Sequence, residues 1–180
     1  MICVTGKIGS GKSTVSKIIA DITGYEVIDV DKVGHEILES DDVKSEIRKV
    51  FSDEVFEGDR IDRRKLAHIV FKNREKLKDL ERILHPRMRK KVIEMVKGKN
   101  AVVDCALLER MDLLKMCNFI ITVISKYENS RSRKPHLSDE DFKNIWENQN
   151  DIRMIGVVIE NDGTFEDLKR KVRDVLEMIT

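Results

Sequence analysis

Nine residues near the start of the chain, Gly6-Lys7-Ile8-Gly9-Ser10-Gly11-Lys12-Ser13-Thr14, have the types and spacing of an anion cradle. Glycines at 6, 9 and 11 permit unusual φ angles and let main-chain N–H groups turn inward around a charged group, where side chains would obstruct both. Lys12 supplies a cation that reaches the outer phosphates of a nucleoside triphosphate, and Ser13 a hydroxyl for a divalent ion. The stretch fits G-x-x-x-x-G-K-[ST] without a mismatch. The chemistry implied is handling of a nucleoside triphosphate by Gly6, Ile8, Gly9, Ser10, Gly11, Lys12, Ser13 and Thr14. The context agrees: Ile2-Cys3-Val4-Thr5 reads as a short buried strand entering the loop. Val15, Ile18, Ile19 and Ile22 recur at helical spacing after it, so a helix begins at the loop with its N-terminal dipole toward the phosphates.

The carboxylates come next. Tyr25 to Asp31 reads as a second strand ending in Asp29 and Asp31, whose period-2 spacing sends both side chains to one face. In an open α/β sheet, ligands bind outside the carboxyl ends of the strands, so these aspartates are expected to share a mouth with the phosphate loop. A third strand, Ala101-Val102-Val103-Asp104, ends in another carboxylate. Asp104 is then the second acidic element that supports Mg²⁺ alongside Ser13.

Three further stretches must position these groups. From Lys32 to about Gly98 the apolar residues keep helical spacing and no strand is expected, which predicts an all-helical insertion. The polar segment Asp53 to Arg60, with Gly58, is its expected mobile loop. His85-Pro86 reads as a helix junction with Pro86 in the first turn of the next helix. Phe119 to Ile124 is a continuously apolar fourth strand and Ile155 to Ile159 a fifth. Between them lies a basic segment with Arg131, Arg133 and Lys134, placed as a lid that supplies cations to a transferring phosphoryl group. Ser138 with Asp141, and Thr164 with Asp167, are spaced as helix caps.

The fold class expected is α/β: a phosphate-loop fold with a five-stranded parallel sheet flanked by helices. Residues 1–31 and 99–180 form the nucleotide core, 32–98 a helical acceptor-binding subdomain and 126–150 the lid.

Composition narrows the function. The chain has 34 Lys+Arg against 33 Asp+Glu, a net charge of +1, so no global field favours nucleic acid or an anionic membrane. No apolar run approaches the length of a membrane span, and Met1 leads directly into the first strand, which predicts a soluble cytoplasmic protein. Cys3, Cys105 and Cys117 have no C-x-x-C spacing and are expected to be free thiols in a reducing compartment. The abundance of Lys, Glu and Arg beside a single glutamine, Gln149, matches thermophile usage. Asp31-Lys-Val-Gly34 spells D-x-x-G, but no N-K-x-D follows, which argues against a GTPase.

Several motifs in order resemble the dephospho-coenzyme A kinase family: G-K-I-G-S-G-K-S-T at 6–14, D-V-D at 29–31, I-D-R-R-K-L-A-H-I-V-F at 61–71, His85-Pro86, D-C-A-L-L-E at 104–109 and E-N-D-G at 160–163. The resemblance implies ATP-dependent phosphorylation of the ribose 3′-hydroxyl of dephospho-coenzyme A, with Mg²⁺. It further implies that Asp31 orients that hydroxyl and accepts its proton, and that Arg63, His85, Leu107 and Glu109 lie near the acceptor. A lid arginine, Arg131 or Arg133, would clamp the γ-phosphoryl, and Arg153 or Asn161 would contact adenine. The chain departs from the family pattern at Lys7, where glycine is usual, at Ala106, where proline is usual, and in the spacing of the lid arginines. The alternatives are a nucleoside or nucleoside-monophosphate kinase of the same fold, and a nucleotide-binding homologue with weakened catalysis. The oligomeric state is not read from the sequence.

Overall fold

A computed structural model of the chain describes residues 1–179. In chain order its elements are β1 (Ile2–Thr5), α1 (Lys12–Thr23), β2 (Glu26–Asp29), α2 (Val30–Leu38), α3 (Asp41–Phe51), β3 (Phe56–Glu57), β4 (Arg60–Ile61), α4 (Arg63–Lys72) and α5 (Arg74–Val96). They continue with β5 (Ala101–Asp104), β6 (Phe119–Ile124), α6 (Tyr127–Ser132), α7 (Asp139–Asn148), β7 (Val157–Glu160) and α8 (Phe165–Ile179). Two compact units result: Met1–Asp29 with the chain from Met95 onward, and Val30–Glu94.

The first unit is built on a five-stranded parallel sheet in the order β2-β5-β1-β6-β7. Strands β1 and β5 are buried along their whole length and apolar up to their last residues, Thr5 and Asp104, as befits parallel strands covered on both faces. Packed around them are α1 and α8, with Val15, Ile19, Val102, Ile121 and Val172 among the side chains shut off from water. Each such residue contributes about 1.5–3 kcal/mol on burial. This core fixes the sheet, and the sheet fixes where the glycine-rich turn after Thr5 emerges.

The lid segment carries its own small core. Phe142 of α7 is fully buried. The Tyr127 ring stands edge-on to Phe142 and to Trp146, 5.3 Å between centroids in each case. The α7 N-terminus has the predicted cap: Ser138 accepts from the Asp141 N–H at 3.0 Å and donates its hydroxyl to the Asp141 carboxylate. Thr164 and Asp167 reciprocate in the same way at the start of α8.

In the second unit, Val33, Ile37, Val43, Ile47, Phe51 and Val70 are buried. Gly34 allows Met88 close approach, since a Cβ there would stand 3.0 Å from the Met88 terminal methyl. Part of the basic character of this unit is absorbed locally: Arg87 pairs with Glu46 and Asp42, and Lys91 with Glu36.

Several expectations are corrected. The second strand stops at Asp29 and a helix starts at Val30, so Asp31 lies in the first turn of α2 and its period-2 relation to Asp29 disappears. The insertion is not all helical: Phe56–Glu57 and Arg60–Ile61 pair antiparallel around Gly58, whose φ of +62° suits the turn, so the expected loop is a hairpin. Pro86 lies inside α5, a single helix. Its missing N–H costs one i→i−4 bond, and the helix runs through it with Leu84 and Met88 buried on either side. Ile22, placed on the buried stripe of α1, is 46% exposed.

The thiols differ most. Cys3 and Cys117 form a disulfide across a sequence separation of 114, with Cα atoms 5.8 Å apart, and Cys105 takes no part in a disulfide. Strands β1 and β6 are sheet neighbours, so Cys117, two residues ahead of β6, lands beside Cys3. Among the described residues, no helix is long and apolar enough to cross a membrane.

Candidate active site

The turn after β1 forms a concave loop because its glycines hold conformations closed to other residues: φ is +144° at Gly6, +73° at Gly9 and +100° at Gly11. Space demands glycine as well. A Cβ at Gly6 would lie 2.1 Å from the Val123 carbonyl oxygen, one at Gly9 2.2 Å from the Ser130 carbonyl oxygen, and one at Gly11 2.1 Å from Asn161 Nδ2. The loop is therefore pressed from behind by β6, by α6 and by the turn after β7.

Main-chain bonding sorts the loop's peptide groups into two sets. The Ser10 N–H closes a turn onto the Lys7 carbonyl at 3.2 Å, and the Ile8 N–H donates to Gln149 Oε1 at 2.6 Å. By contrast, the N–H groups of Gly9, Gly11, Lys12, Ser13 and Thr14 meet no acceptor among the described residues, and α1 has no N-cap side chain. Helix N-termini leave such donors unpaired, and an anion satisfies them best.

Side chains behind the loop decide which way these donors point. Asn161 is 7% exposed and donates Nδ2–H to the Ser10 carbonyl at 2.8 Å. Carbonyl and N–H of one peptide point in opposite directions, so holding the Ser10 oxygen rearward aims the Gly11 N–H forward into the cradle. Arg133 donates to the Gly9 carbonyl at 3.0 Å, and the N–H of that same peptide, on Ser10, is the one that closes onto Lys7.

Arg133 also bonds Ser125 Oγ and the Asn161 carbonyl, which joins the lid to the turn after β7. Asp162 is the hub of that junction, accepting from Ser125 Oγ, Asn129 Nδ2 and the Lys126 N–H. These bonds, first that of Ser125 and then that of Asn129, hold its carboxyl down at about 2.

Lys12 occupies the first position of α1, half-buried, and makes no hydrogen bond or ion pair among the described residues. Ser13 and Thr14 follow it and are exposed. Asp104 closes β5, 6% exposed, in parallel register with Asp29 of β2 and with Val4 of β1. Two carboxylates thus sit side by side at the carboxyl edge of the sheet, beside the strand that feeds the loop.

Beyond β5 a small cavity is lined by Thr5, Ala106, Leu107, Glu109, Asp151 and Arg153. Arg153 binds Glu109 in a two-pronged ion pair, and this bonding draws the Glu109 carboxyl below its usual value and raises the guanidinium. Of the two residues offered for adenine, Arg153 is engaged with Glu109 and Asn161 with the loop backbone.

Arg131 serves the lid's interior, bonding Asp139 and the carbonyls of Lys134 and Leu137 beside the Phe142 ring. Within the second unit, Asp31 is exposed in α2, Arg63 is exposed at the start of α4 after its cap Asp62, and His85 is half-buried in α5.

The sequence reading missed the clamps behind the loop. Gln149 enters the sequence reading only through composition and Asp162 only within the E-N-D-G turn, and Ser125 and Asn129 do not enter it. The one available signal was Gln149 itself, the sole glutamine in a glutamine-poor chain. Asp162 lies 37 residues from Ser125 and 33 from Asn129, and Gln149 lies 141 from Ile8, separations that no local pattern reveals.

Comparison with known proteins gives a consistent family. A family model described as dephospho-CoA kinase matches residues 1–167. A curated dephospho-CoA kinase from Fusobacterium nucleatum is 37% identical, covering 99% of this chain and 98% of its own length. Among solved structures, TT1252 from Thermus thermophilus superposes with a TM-score of 0.77 at 31% identity, covering 99% of this chain and 97% of that one. Shikimate kinase from Acinetobacter baumannii superposes with a TM-score of 0.60 at 17% identity, covering 99% and 93%, which bears on the fold alone.

Proposed function

The chain belongs to the dephospho-coenzyme A kinase family and is a phosphotransferase, and on that premise we propose that it transfers the γ-phosphoryl of ATP to the ribose 3′-hydroxyl of dephospho-coenzyme A. That transfer is the last step of coenzyme A biosynthesis. Beyond family membership, the observation that carries the reading is the loop itself: five main-chain donors meet no acceptor among the described residues, while the carbonyls of Gly9 and Ser10 are held from behind. A cradle that is aimed before the ligand arrives stabilises charge developing on phosphoryl oxygens without reorganising at the moment of reaction.

In this proposal Gly9, Gly11, Lys12, Ser13 and Thr14 hold the donor phosphates through their N–H groups, and the Lys12 ammonium neutralises charge on the β- and γ-phosphates. Asp31 accepts the proton of the acceptor hydroxyl as that oxygen bonds to the γ-phosphorus. The bond from the γ-phosphorus to the β–γ bridging oxygen breaks, and ADP departs with the electron pair. Arg63, His85, Leu107 and Glu109 are assigned to the acceptor. Both lid arginines are engaged, Arg131 in the lid's interior and Arg133 on the carbonyls of Gly9 and Asn161 behind the loop, so a γ-phosphoryl clamp by either requires it to leave those partners.

Ser13 and Asp104 offer hard oxygen donors that fit Mg²⁺, which takes one or two protein oxygens and completes its octahedron with phosphates and water. Among the described residues no group of three or more His, Cys, Asp or Glu forms a self-sufficient metal site, as that mode of binding requires none. When bound, the ion would supply positive charge to the phosphoryl oxygens. A cytoplasmic location is part of the proposal. The Cys3–Cys117 disulfide is compatible with it in a thermophile, whose intracellular proteins often carry such bonds, and the charged, glutamine-poor composition points the same way.

An acceptor screen tests this function. With ATP and Mg²⁺, dephospho-coenzyme A should be turned over in preference to AMP, CMP, UMP and nucleosides. Asp31→Asn should lower turnover by about 10²- to 10⁴-fold with the KM for ATP nearly unchanged. Preferred turnover of a nucleoside monophosphate, or an Asp31→Asn variant as fast as the parent, would overturn it.

A further inference from the structure

Lys7 stands in the phosphate loop where the family resemblance leads one to expect glycine, and its side chain is engaged by the lid. Its ammonium lies 4.7 Å from the centroid of the Trp146 ring and donates to Asn150 Oδ1 at 2.5 Å. The next residue of the loop, Ile8, donates its N–H to Gln149 Oε1 at 2.6 Å. Trp146 belongs to α7, and Gln149 and Asn150 follow directly on its end, so two consecutive loop residues grip one helix end of the lid. Trp146 is in turn stacked on Phe142, the buried centre of the lid, at 5.9 Å. The side chain of Lys7 is thereby connected to the lid's core through one aromatic ring. Partial burial holds the ammonium below the ordinary lysine value, against the opposing pull of Asp151. Glycine at this position would keep the Ile8 bond and lose both side-chain contacts.

We propose that Lys7 is a positioning residue that docks the lid onto the phosphate loop before any nucleotide binds, through the Trp146 face and the Asn150 carbonyl. Docking brings Arg133 to the Gly9 carbonyl and Gln149 to the Ile8 N–H, so the backbone that receives the donor is already ordered. Loops ordered in advance bind more tightly, since the ordering cost does not fall on the binding step. A cation on an aromatic face is the stronger when the pair is partly shielded from water, as here.

The proposal rests on the loop's serving a nucleotide donor, but its first test needs no substrate. Trp146 is the only tryptophan, so its accessibility to acrylamide reports the lid of the nucleotide-free chain directly. Lys7→Met, which keeps the length and removes the charge, and Lys7→Gly are both expected to raise the quenching constant about twofold. Lys7→Arg, which keeps a cation able to stack and donate, should restore the parent value. Asn150→Ala should move quenching in the same direction, and the double variant Lys7→Met with Asn150→Ala should go little further than Lys7→Met alone.

The KM for ATP should rise about three- to tenfold in Lys7→Met while kcat stays within about twofold, the range a single cation–aromatic contact covers. Quenching unchanged in both Lys7→Met and Lys7→Gly would overturn the proposal. So would a fall in kcat alone with the tryptophan still shielded, which would mean that Lys7 acts on the phosphates directly. A chain inactive on dephospho-coenzyme A would still give the quenching result, which separates failure of this proposal from failure of the assigned reaction.

Discussion

The amide nitrogen of Asn161 lies 2.8 Å from the carbonyl oxygen of Ser10 and 2.1 Å from where a Cβ on Gly11 would be. One side chain thus both orients the Ser10–Gly11 peptide and forbids anything but glycine at its second residue. The two residues are 151 positions apart, and their contact ties the turn after β7 to the phosphate loop. Asn161, one of the two residues that the family resemblance offered for adenine, supports the backbone of the proposed phosphate loop.

Replacing Asn161 with alanine should therefore weaken nucleotide binding without touching the nucleotide. The Ser10 carbonyl loses a buried partner, a change that costs about 1–3 kcal/mol, and the Gly11 N–H is no longer aimed. Affinity for ATP should fall roughly tenfold or more, with a matching loss of thermal stability. Asn161→Asp should be worse, because a carboxylate cannot donate to the carbonyl and faces the phosphates with like charge. Calorimetric titration with a non-hydrolysable ATP analogue checks both variants.

Gly9→Ala should separate the loop from α6. The added methyl would meet the Ser130 carbonyl oxygen at 2.2 Å, and the φ of +73° adds a strain of about 1–2 kcal/mol for any residue with a Cβ. Backbone cannot yield as a side-chain tip does, so the lid must shift. The expected result is loss of measurable ATP binding at concentrations that saturate the parent, with the folded state retained by circular dichroism.

Acid should loosen the same junction through Asp162. Its folded value of about 2 lies below the ordinary 3.8, so the unfolded chain binds the proton more readily. The stabilisation is thus fully present above about pH 4 and fades as pH falls from there through about 2. Asp162→Asn should remove this portion of the acid sensitivity. Unfolding midpoints of parent and variant should differ at pH 6 and converge toward pH 2, as read by denaturant titration at each pH.

The Cys3–Cys117 bond closes a loop of more than a hundred residues, for which removal costs about 2–5 kcal/mol. Cys117→Ser should lower the guanidinium midpoint accordingly, and dithiothreitol should bring the parent down to the same value while leaving the variant where it is. Activity at ambient temperature should persist, since neither sulfur lies in the loop. An identical midpoint for parent and variant under oxidising conditions would show that the bond adds no stability.

Much of the fold could be read from local pattern because its causes are local. Hydrophobic runs marked all five strands of the main sheet, helical periodicity marked the helices, and the caps at Ser138 and Thr164 stood where spacing put them. The readings that failed have a common origin. Asp31 passed for a strand residue because Tyr25 to Val30 is apolar enough for either state, and Pro86 passed for a helix start because propensity could not weigh the packing around Leu84 and Met88.

The residues proposed to carry the chemistry came from the sequence: the glycines, Lys12, Ser13 and Asp104 from what phosphate and a divalent ion require of nearby groups, and Asp31 from the family resemblance. Only the tertiary structure decided what holds them. Asn161 behind Ser10, Arg133 behind Gly9, Gln149 on Ile8, Lys7 on Trp146 and Cys3 bonded to Cys117 are pairings between side chains far apart in the chain. Such pairings depend on which strands lie side by side and which helix end returns to the loop. Those facts belong to the packing of the whole core, and no stretch of sequence contains them by itself.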